Sequence, residues 1–460
     1  MKERTMKQKI LLSALALACC QWSMAQTMLT LDECREQAIE NNITLRTARN
    51  SLRAADEQRK EAFTNYFPQL SATGFAFNAN KDMAKMDIAT ADMFSSVPQE
   101  MLATIPQEML GLIPSNLSMS MLKNGVVGAV SAVQPVFAGG QIVNGNRLAK
   151  IGVEAGRLQV ERAENEVTRT TEQYFWQVVS LKEKLRTLDA VDEMLNRLEK
   201  DVTAAVDAGL TTRNDLLQVQ LKKNEIENNR LKAEAGLRTC RQLLAQYIGR
   251  NGEDIDVSAE VKPDVEIPVG LKQDHPACLA ATPEYQLLQK NVDANALQQK
   301  MAVGKQLPTL AVGAGYTYND LMDKGRDFGM IFATVSVPIS GWWGGSHAIR
   351  RQKIATENAR QQMADNSQLL VIAMDNAWAD VETAYRQLQL SRKGIEQAEE
   401  NLRLNRDYYQ AGTTTMGDLL QAQQQYQLTR DQMTDAYIAY QTALTKYRQA
   451  TGISDQQTTE

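Results

Sequence analysis

The sequence predicts a mixed α and β membrane protein built as two internal pseudo-repeats, each joining a pair of membrane-spanning β-strands to a long helical hairpin. Three observations carry that reading. A short motif occurs twice at a fixed offset, two segments stay helical in character for more than 60 residues without proline, and two pairs of stretches alternate with period two.

The motif sets the architecture. Ala208 to Gln220 reads AGLTTRNDLLQVQ and Ala411 to Gln423 reads AGTTTMGDLLQAQ, with nine of thirteen positions matching at an offset of 203. The same offset carries Pro135 onto Pro338 and Gly249 onto Gly452. Self-similarity on this scale marks a duplicated structural unit. Earlier in each half, Phe67-Pro68-Gln69-Leu70 corresponds to Leu307-Pro308-Thr309-Leu310 at an offset of 240, so the first half carries 37 extra residues before Pro135. They fall in one loop.

Composition narrows the function classes. The chain has 460 residues, 43% hydrophobic and 23% charged, enough apolar content for a sizeable core. No stretch beyond the N-terminus is apolar for the roughly 18 residues a membrane helix needs, which excludes a helical membrane protein. With 50 Lys and Arg against 55 Asp and Glu, the formal net charge is −5. That leaves no basic excess for a phosphate backbone, so nucleic acid is not a partner. Two histidines and five dispersed cysteines exclude a His/Cys metal cluster of ordinary spacing and a disulfide scaffold, and no cofactor motif is present. Gly313-x-Gly315 has no P-loop lysine and no downstream helix.

Residues 1–25 read as a secretory signal peptide: a basic n-region (Lys2, Arg4, Lys7, Lys9), an apolar run from Ile10 to Cys20, and Ser23-Met24-Ala25 before the cut. Removing it takes away four positive charges and one negative, leaving −8. Cys19 and Cys20 admit a lipoprotein reading, although Ala16-Leu17-Ala18 lacks the residue order of a lipid-modified cleavage site. After cleavage at Ala25, Cys34, Cys240 and Cys278 remain; nothing near them resembles an activated nucleophile.

The elements follow in order. Residues 26–252 form the first repeat, 253–282 an irregular segment holding Pro263, Pro268 and Pro276, and 283–460 the second repeat. Leu31 to Asn65 has helical period, with Thr30 or Asp32 as cap. Strand pairs are expected at about 67–78 with 125–136, and at about 308–319 with 329–339, where small or polar residues alternate with larger apolar ones as in transmembrane strands. Pro68, Pro135, Pro308 and Pro338 are placed at the junctions where helix gives way to strand. Phe75 and Phe77 fall out of phase with Tyr316 and Tyr318, which a bulge or one-residue shift would reconcile. Gln141 to Val206 and Ser346 to Tyr409 then run Pro-free, on the order of 95 Å each at 1.5 Å per residue. Leu188, Val191, Leu195, Leu198, Val202 and Ala205, and again Met433, Tyr437, Tyr440, Leu444 and Tyr447, step by threes and fours as coiled-coil seams. The tips lie near 208–215 and 411–418, with Gly209 and Gly412 as turn glycines and return helices beginning near Asp215 and Asp418.

Four strands cannot close a barrel, and an open sheet edge in lipid leaves unpaired backbone groups at several kcal/mol each. The chain must oligomerise. Two copies give eight strands and three give twelve; the geometry alone leaves both open.

The paired hairpins, the junctions Phe67-Pro68 and Leu307-Pro308, the Pro135 to Gly140 and Pro338 to Gly345 stretches, and the duplicated tip motif resemble the TolC-type outer-membrane efflux proteins across the whole mature chain. The resemblance implies a homotrimer with a twelve-stranded barrel in the outer membrane and a coiled-coil helical tunnel in the periplasm. It also implies a periplasmic adaptor protein, and an inner-membrane pump of the resistance-nodulation-division or ABC type, that open the tip on docking. In that family a Tyr and an Asp of the two hairpins hold the tip closed; the matching positions are Tyr409 and Asp215, and Asp418 matches a carboxylate at the narrowest point. Thr414 stands where some members have a tip Arg, with Arg213 nearby.

Each of these residues has a plainer reading. Asp215 and Asp418 also fit as N-terminal carboxylates stabilising a helix dipole by roughly 0.3–1 kcal/mol; as a constriction ring they would have pKa values raised by crowding. Tyr409 fits a gate or a seam position. Trp342 and Trp343 fit membrane-interface anchors or a packed turn. The 79–124 insertion holds an internal repeat, Val97 to Leu102 and Ile105 to Leu110, and seven methionines (Met83, Met86, Met93, Met101, Met109, Met119, Met121), which fit an apolar cap or soft-metal ligands. His275 and His347 are expected to be ordinary polar residues. The expected function is a passive exit duct, not an enzyme; the alternative is a periplasmic coiled-coil scaffold without a pore.

Overall fold

The computed structural model describes residues 27–81, 83–89, 116–121, 124–262, 264–265, 267–321, 325–339 and 341–453. The leader, with Cys19 and Cys20, and the internal repeat of the insertion, with Met93, Met101 and Met109, lie outside the described residues. The chain divides into two compact units: residues 1–55, 153–292 and 359–460, and residues 56–152 with 293–358.

The first unit is helical. Strand β1 (Thr27–Leu29) leads into helix α1 (Leu31–Asn41), capped by Thr30 through a capping box in which the Thr30 hydroxyl accepts the Glu33 amide and the Glu33 carboxylate accepts the Thr30 amide at 2.8 Å. The single helix expected from Leu31 to Asn65 is two, because Asn42 takes extended backbone, accepts the Thr44 amide at 2.8 Å and donates to the Tyr247 carbonyl at 3.1 Å. Helix α2 (Ile43–Thr64) starts there. The long hairpins are α3 (Gln141–Asp207) with α4 (Arg213–Tyr247), and α7 (Gly341–Gln410) with α8 (Met416–Thr451). Between them come β6 (Ile255–Val257), α5 (His275–Cys278) and α6 (Pro283–Gly304).

Two apolar clusters hold this unit. One joins Phe175 and Trp176 of α3, Trp378 and Val381 of α7, and Tyr437, Tyr440 and Tyr447 of α8, with Cys34 and Leu45 from the N-terminal helices. The other gathers the α3 seam residues Leu188, Val191, Leu195 and Val202 with Val219, Ile226 and Met416 near the tips. A fully buried aliphatic side chain of this kind contributes about 1.5–3 kcal/mol. Beside the first cluster β1 pairs in parallel with β6, and Asp256 of β6 is neutralised by Lys182 at 2.8 Å and Arg241 at 2.9 Å. Burial alone would raise its pKa, but the hydrogen bond from Lys182, the Val257 amide and the two cations hold it below the ordinary value. His275 is not an ordinary surface residue: it is 4% exposed, with Nδ1 2.7 Å from Asp375 Oδ1 and Nε2 3.0 Å from the Tyr447 hydroxyl, which accepts the Gln273 amide at 2.8 Å.

The second unit contains a four-stranded antiparallel sheet, β2 (Gln69–Asn78), β5 (Asn124–Ala138), β7 (Thr309–Asp320) and β8 (Arg326–Ser336), in that spatial order. A separate hairpin, β3 (Ala84–Ala89) with β4 (Asn116–Met121), lies in the insertion. The register places Leu70, Val126, Val130, Val312, Tyr316, Ile331 and Val335 on one face; Ser71, Thr73, Ser131, Gly315, Thr317 and Thr334 are on the other, where Phe75, Phe77 and Phe332 also lie. Phe75 and Phe77 thus face away from Tyr316 and Tyr318. The bulge or shift expected in the first strand is absent: β2 pairs with β5 without a break from Gln69 to Asn78, and the sheet's register shift lies instead in β5, between Pro135 and Phe137. Pro135 is therefore not a junction residue. It sits inside β5, where a bulge tolerates the missing N–H. Pro68, Pro308 and Pro338 lie between helix and strand. The outer edges of β2 and β8 pair with no strand among the described residues.

Candidate functional site

The hairpin tips are built by the same local chemistry twice. At the end of α3 the Leu210 amide reaches the Ala205 carbonyl at 2.8 Å and the Gly209 amide the Val206 carbonyl at 3.0 Å; at the end of α7 the Thr413 amide reaches Tyr408 and the Gly412 amide Tyr409. These are Schellman closures, and they require a left-handed residue, supplied by Gly209 (φ 72°) and Gly412 (φ 73°). Thr212 and Thr415 then cap the return helices. The Thr415 hydroxyl takes the Asp418 amide at 3.2 Å and donates to the Asp418 carboxylate at 2.6 Å, while Thr414 donates to the same carboxylate at 3.1 Å. Thr212 takes the Asp215 amide at 3.4 Å, and Thr211, which stands where the second repeat has Thr414, donates to the Asp215 carboxylate.

Between the tips lies an open cleft of about 710 Å³ whose lining includes Arg197, Asp201, Thr211, Asp215, Arg406 and Tyr409. Burial first, and then the Asp215 charge, push the Tyr409 phenol above the ordinary pKa, with the Thr211 hydroxyl opposing. The two residues matched to the family's tip lock therefore line one cleft, with Thr211 bonded to Asp215 between them. Sequence reading passed over that side chain, although its place in the doubled threonine pair marked it. Arg406, one turn before Tyr409, is the cleft's other unforeseen polar member. Tyr409 also packs against the tip cluster, as the seam reading expects.

Within one chain Asp418 is a helix cap: its carboxyl is held below the ordinary value by the Thr415 hydroxyl and amide and by Thr414. Thr414 lines the cleft alongside Gly412, and Arg213 is exposed, with no ion-pair partner among the described residues. In the second unit, Trp342 and Trp343 belong to the first turn of α7 and are 51% and 78% exposed; the Trp342 indole donates to the Gln306 carbonyl at 3.0 Å, tying that turn to the end of α6.

The fold has solved counterparts. The Campylobacter jejuni CmeC outer membrane channel superposes with a TM-score of 0.74 at 15% identity, covering 92% of this chain and 85% of its own. The Vibrio cholerae outer membrane protein VceC gives 0.72 at 15%, covering 92% and 96%. The open state of the Neisseria gonorrhoeae MtrE outer membrane channel gives 0.71 at 15%, covering 92% and 89%. No curated protein sequence matches the chain. The outer membrane efflux protein family matches residues 34–250 and 277–453, most of both repeats. By that match the chain belongs to the outer membrane efflux protein family, channels of the outer membrane whose helical part lies in the periplasm.

Proposed function

We propose that the protein is the exit duct of a tripartite efflux or type I secretion machine, a homotrimer that pools twelve strands into one barrel and conducts substrate passively from a periplasmic adaptor and an inner-membrane pump to the exterior. The observation that carries this is the four-stranded sheet with two open edges. The face with Leu70, Val130, Ile331 and Val335 suits lipid, the face with Ser71, Thr73, Ser131, Thr317 and Thr334 suits a water-filled lumen into which Phe75, Phe77 and Phe332 also project, and neither edge is tolerable in a bilayer unless another copy pairs with it. Trp342 and Trp343 serve as interface anchors at the periplasmic rim. Tyr409 of one hairpin, set in the same cleft as the Thr211–Asp215 pair of the other, holds the resting tip closed. Docking of the adaptor breaks that hold. Pump families of either type fit this duct, since cargo selection rests with the pump.

The test is single-channel recording in planar bilayers with purified full-length protein. The wild type should show a small resting conductance, and Asp215→Ala combined with Tyr409→Phe a larger one. Absence of any current, or a compact monomer in detergent, would instead support the pore-free scaffold.

A further inference from the structure

We infer that the membrane-proximal turns of the long helices form a basic collar that binds the anionic phospholipid headgroups of the periplasmic leaflet. The inference rests on the outer-membrane placement given above. Its evidence is a second duplication that the tip motif does not include. The 203-residue offset carries Arg147 onto Arg350 and Lys150 onto Lys353, so both long helices bear Arg-x-x-Lys within about four turns of the sheet. The 240 offset carries Lys60 onto Lys300, but Lys60 is already paired with Asp56 and Glu57, so only Lys300 of the two joins the collar. In a chain of net charge −5, the segments 141–152, 294–308 and 341–356 contain no Asp or Glu at all.

The geometry suits a headgroup layer. Arg147, Lys300, Lys305, Arg350, Arg351 and Lys353 are exposed and have no ion-pair partner among the described residues. On α7, Trp343, His347, Arg350 and Ile354 are spaced by four, seven and eleven residues, so one helix face carries the exposed Trp343, then His347 and the cationic Arg350, then an exposed isoleucine. On α3, Val143, Arg147 and Lys150 repeat the four and seven spacing. Arg147 stands roughly 9 Å along its helix from Gln141 and Arg350 roughly 14 Å from Gly341. The headgroup layer is about 5–8 Å deep, and long basic side chains reach back toward it. Lys150 and Lys353 follow one turn later, within about a Debye length of that layer. Phosphate oxygens are the matching chemistry, bidentate for Arg and point-charge for Lys.

The experiment uses the full-length protein in vesicles of phosphatidylcholine with increasing phosphatidylglycerol, one lipid or the other brominated. In a Trp22→Phe background Trp342 and Trp343 report on the contacting lipid, since Trp176 and Trp378 are buried. Brominated phosphatidylglycerol should quench with a relative affinity several-fold above phosphatidylcholine, on the order of fivefold for each cation engaged. The Arg147→Gln, Lys150→Gln, Arg350→Gln, Lys353→Gln variant should bring the ratio to about one with unchanged helical circular dichroism. In the wild type, raising salt from about 0.05 M to about 0.5 M should do the same. A ratio indifferent to salt, or unchanged in the variant, overturns the proposal, as does an equal preference for lipopolysaccharide added to the vesicles. Absence of quenching by either brominated lipid would refute the membrane placement itself, and with it the collar.

Discussion

Gly139 and Gly304 meet backbone to backbone, so that a Cβ on either would lie 2.1 Å from the other's carbonyl oxygen. This contact brings together the turn after β5 and the end of α6. Gly139 also has φ 60°, where a Cβ costs roughly 1–2 kcal/mol before any clash. Gly139→Ala should therefore destabilise by about 3 kcal/mol or more. Gly140→Ala, with similar φ but open space to 3.5 Å, should cost only about 1–2 kcal/mol. Denaturant midpoints of the two variants check the order; equal losses would mean that the close approach is not maintained.

The buried His275 places a hydrogen-bonded chain between α5, α7 and α8. With the Tyr447 hydroxyl accepting the Gln273 amide, its proton is free to point at Nε2, leaving Nδ1–H to donate to Asp375. Tyr447→Phe strands two partners and should cost about 1–3 kcal/mol. Asp375, 63% exposed, should matter less when replaced by Asn. Thermal melts of both variants test this.

Asp431 of α8 has its carboxyl raised to about 6 by burial, with Asp435 adding to the shift and Lys184 and Arg430 opposing it. The folded state then holds a proton that the unfolded chain releases near pH 4. Stability falls as pH rises from about 4 to 6, and above that window the buried charge is a standing penalty. Asp431→Asn should raise the melting temperature at pH 7.5 by roughly 2–4 °C and leave it nearly unchanged at pH 4.

For Asp418 the sign is opposite. Its lowered carboxyl contributes stability above the ordinary carboxylate range that is lost as pH falls through its folded value. Acidification should loosen the second tip first, seen as faster amide exchange at Thr415 and Asp418; Asp418→Asn should abolish the pH dependence of that exchange.

Leu195 is fully buried in the α3 seam, so Leu195→Ala should cost about 2–5 kcal/mol. Because the seam lies beside the tip cleft, the same variant should also raise resting conductance; a fully closed channel would separate packing from gating.

The parts of this architecture readable from sequence were the periodic and the repeated ones. The seams of α3 and α8 follow from three-and-four spacing, and the tips from glycine and threonine at fixed offsets, because local backbone chemistry determines both. What escaped were contacts between distant positions and local breaks in a regular pattern. His275 lies 100 residues from Asp375 and 172 from Tyr447, so no window of sequence contains the network. Asn42 looked like one more helical position until its side chain found Tyr247. Pro135 marked an irregularity, but a bulge and a junction leave the same residue behind. Thr211 was visible in the duplicated motif, yet its role depends on Tyr409 arriving from the other hairpin.

The unpaired margins of β2 and β8 bear on biogenesis as well as on conduction. If copies of the chain close the barrel as proposed, a lone subunit has no stable resting place in lipid, and insertion and association become one concerted event, steep in subunit concentration. A chain with one spoiled margin would still be recruited through the other, and a minority of such chains would disable most of the assemblies they join.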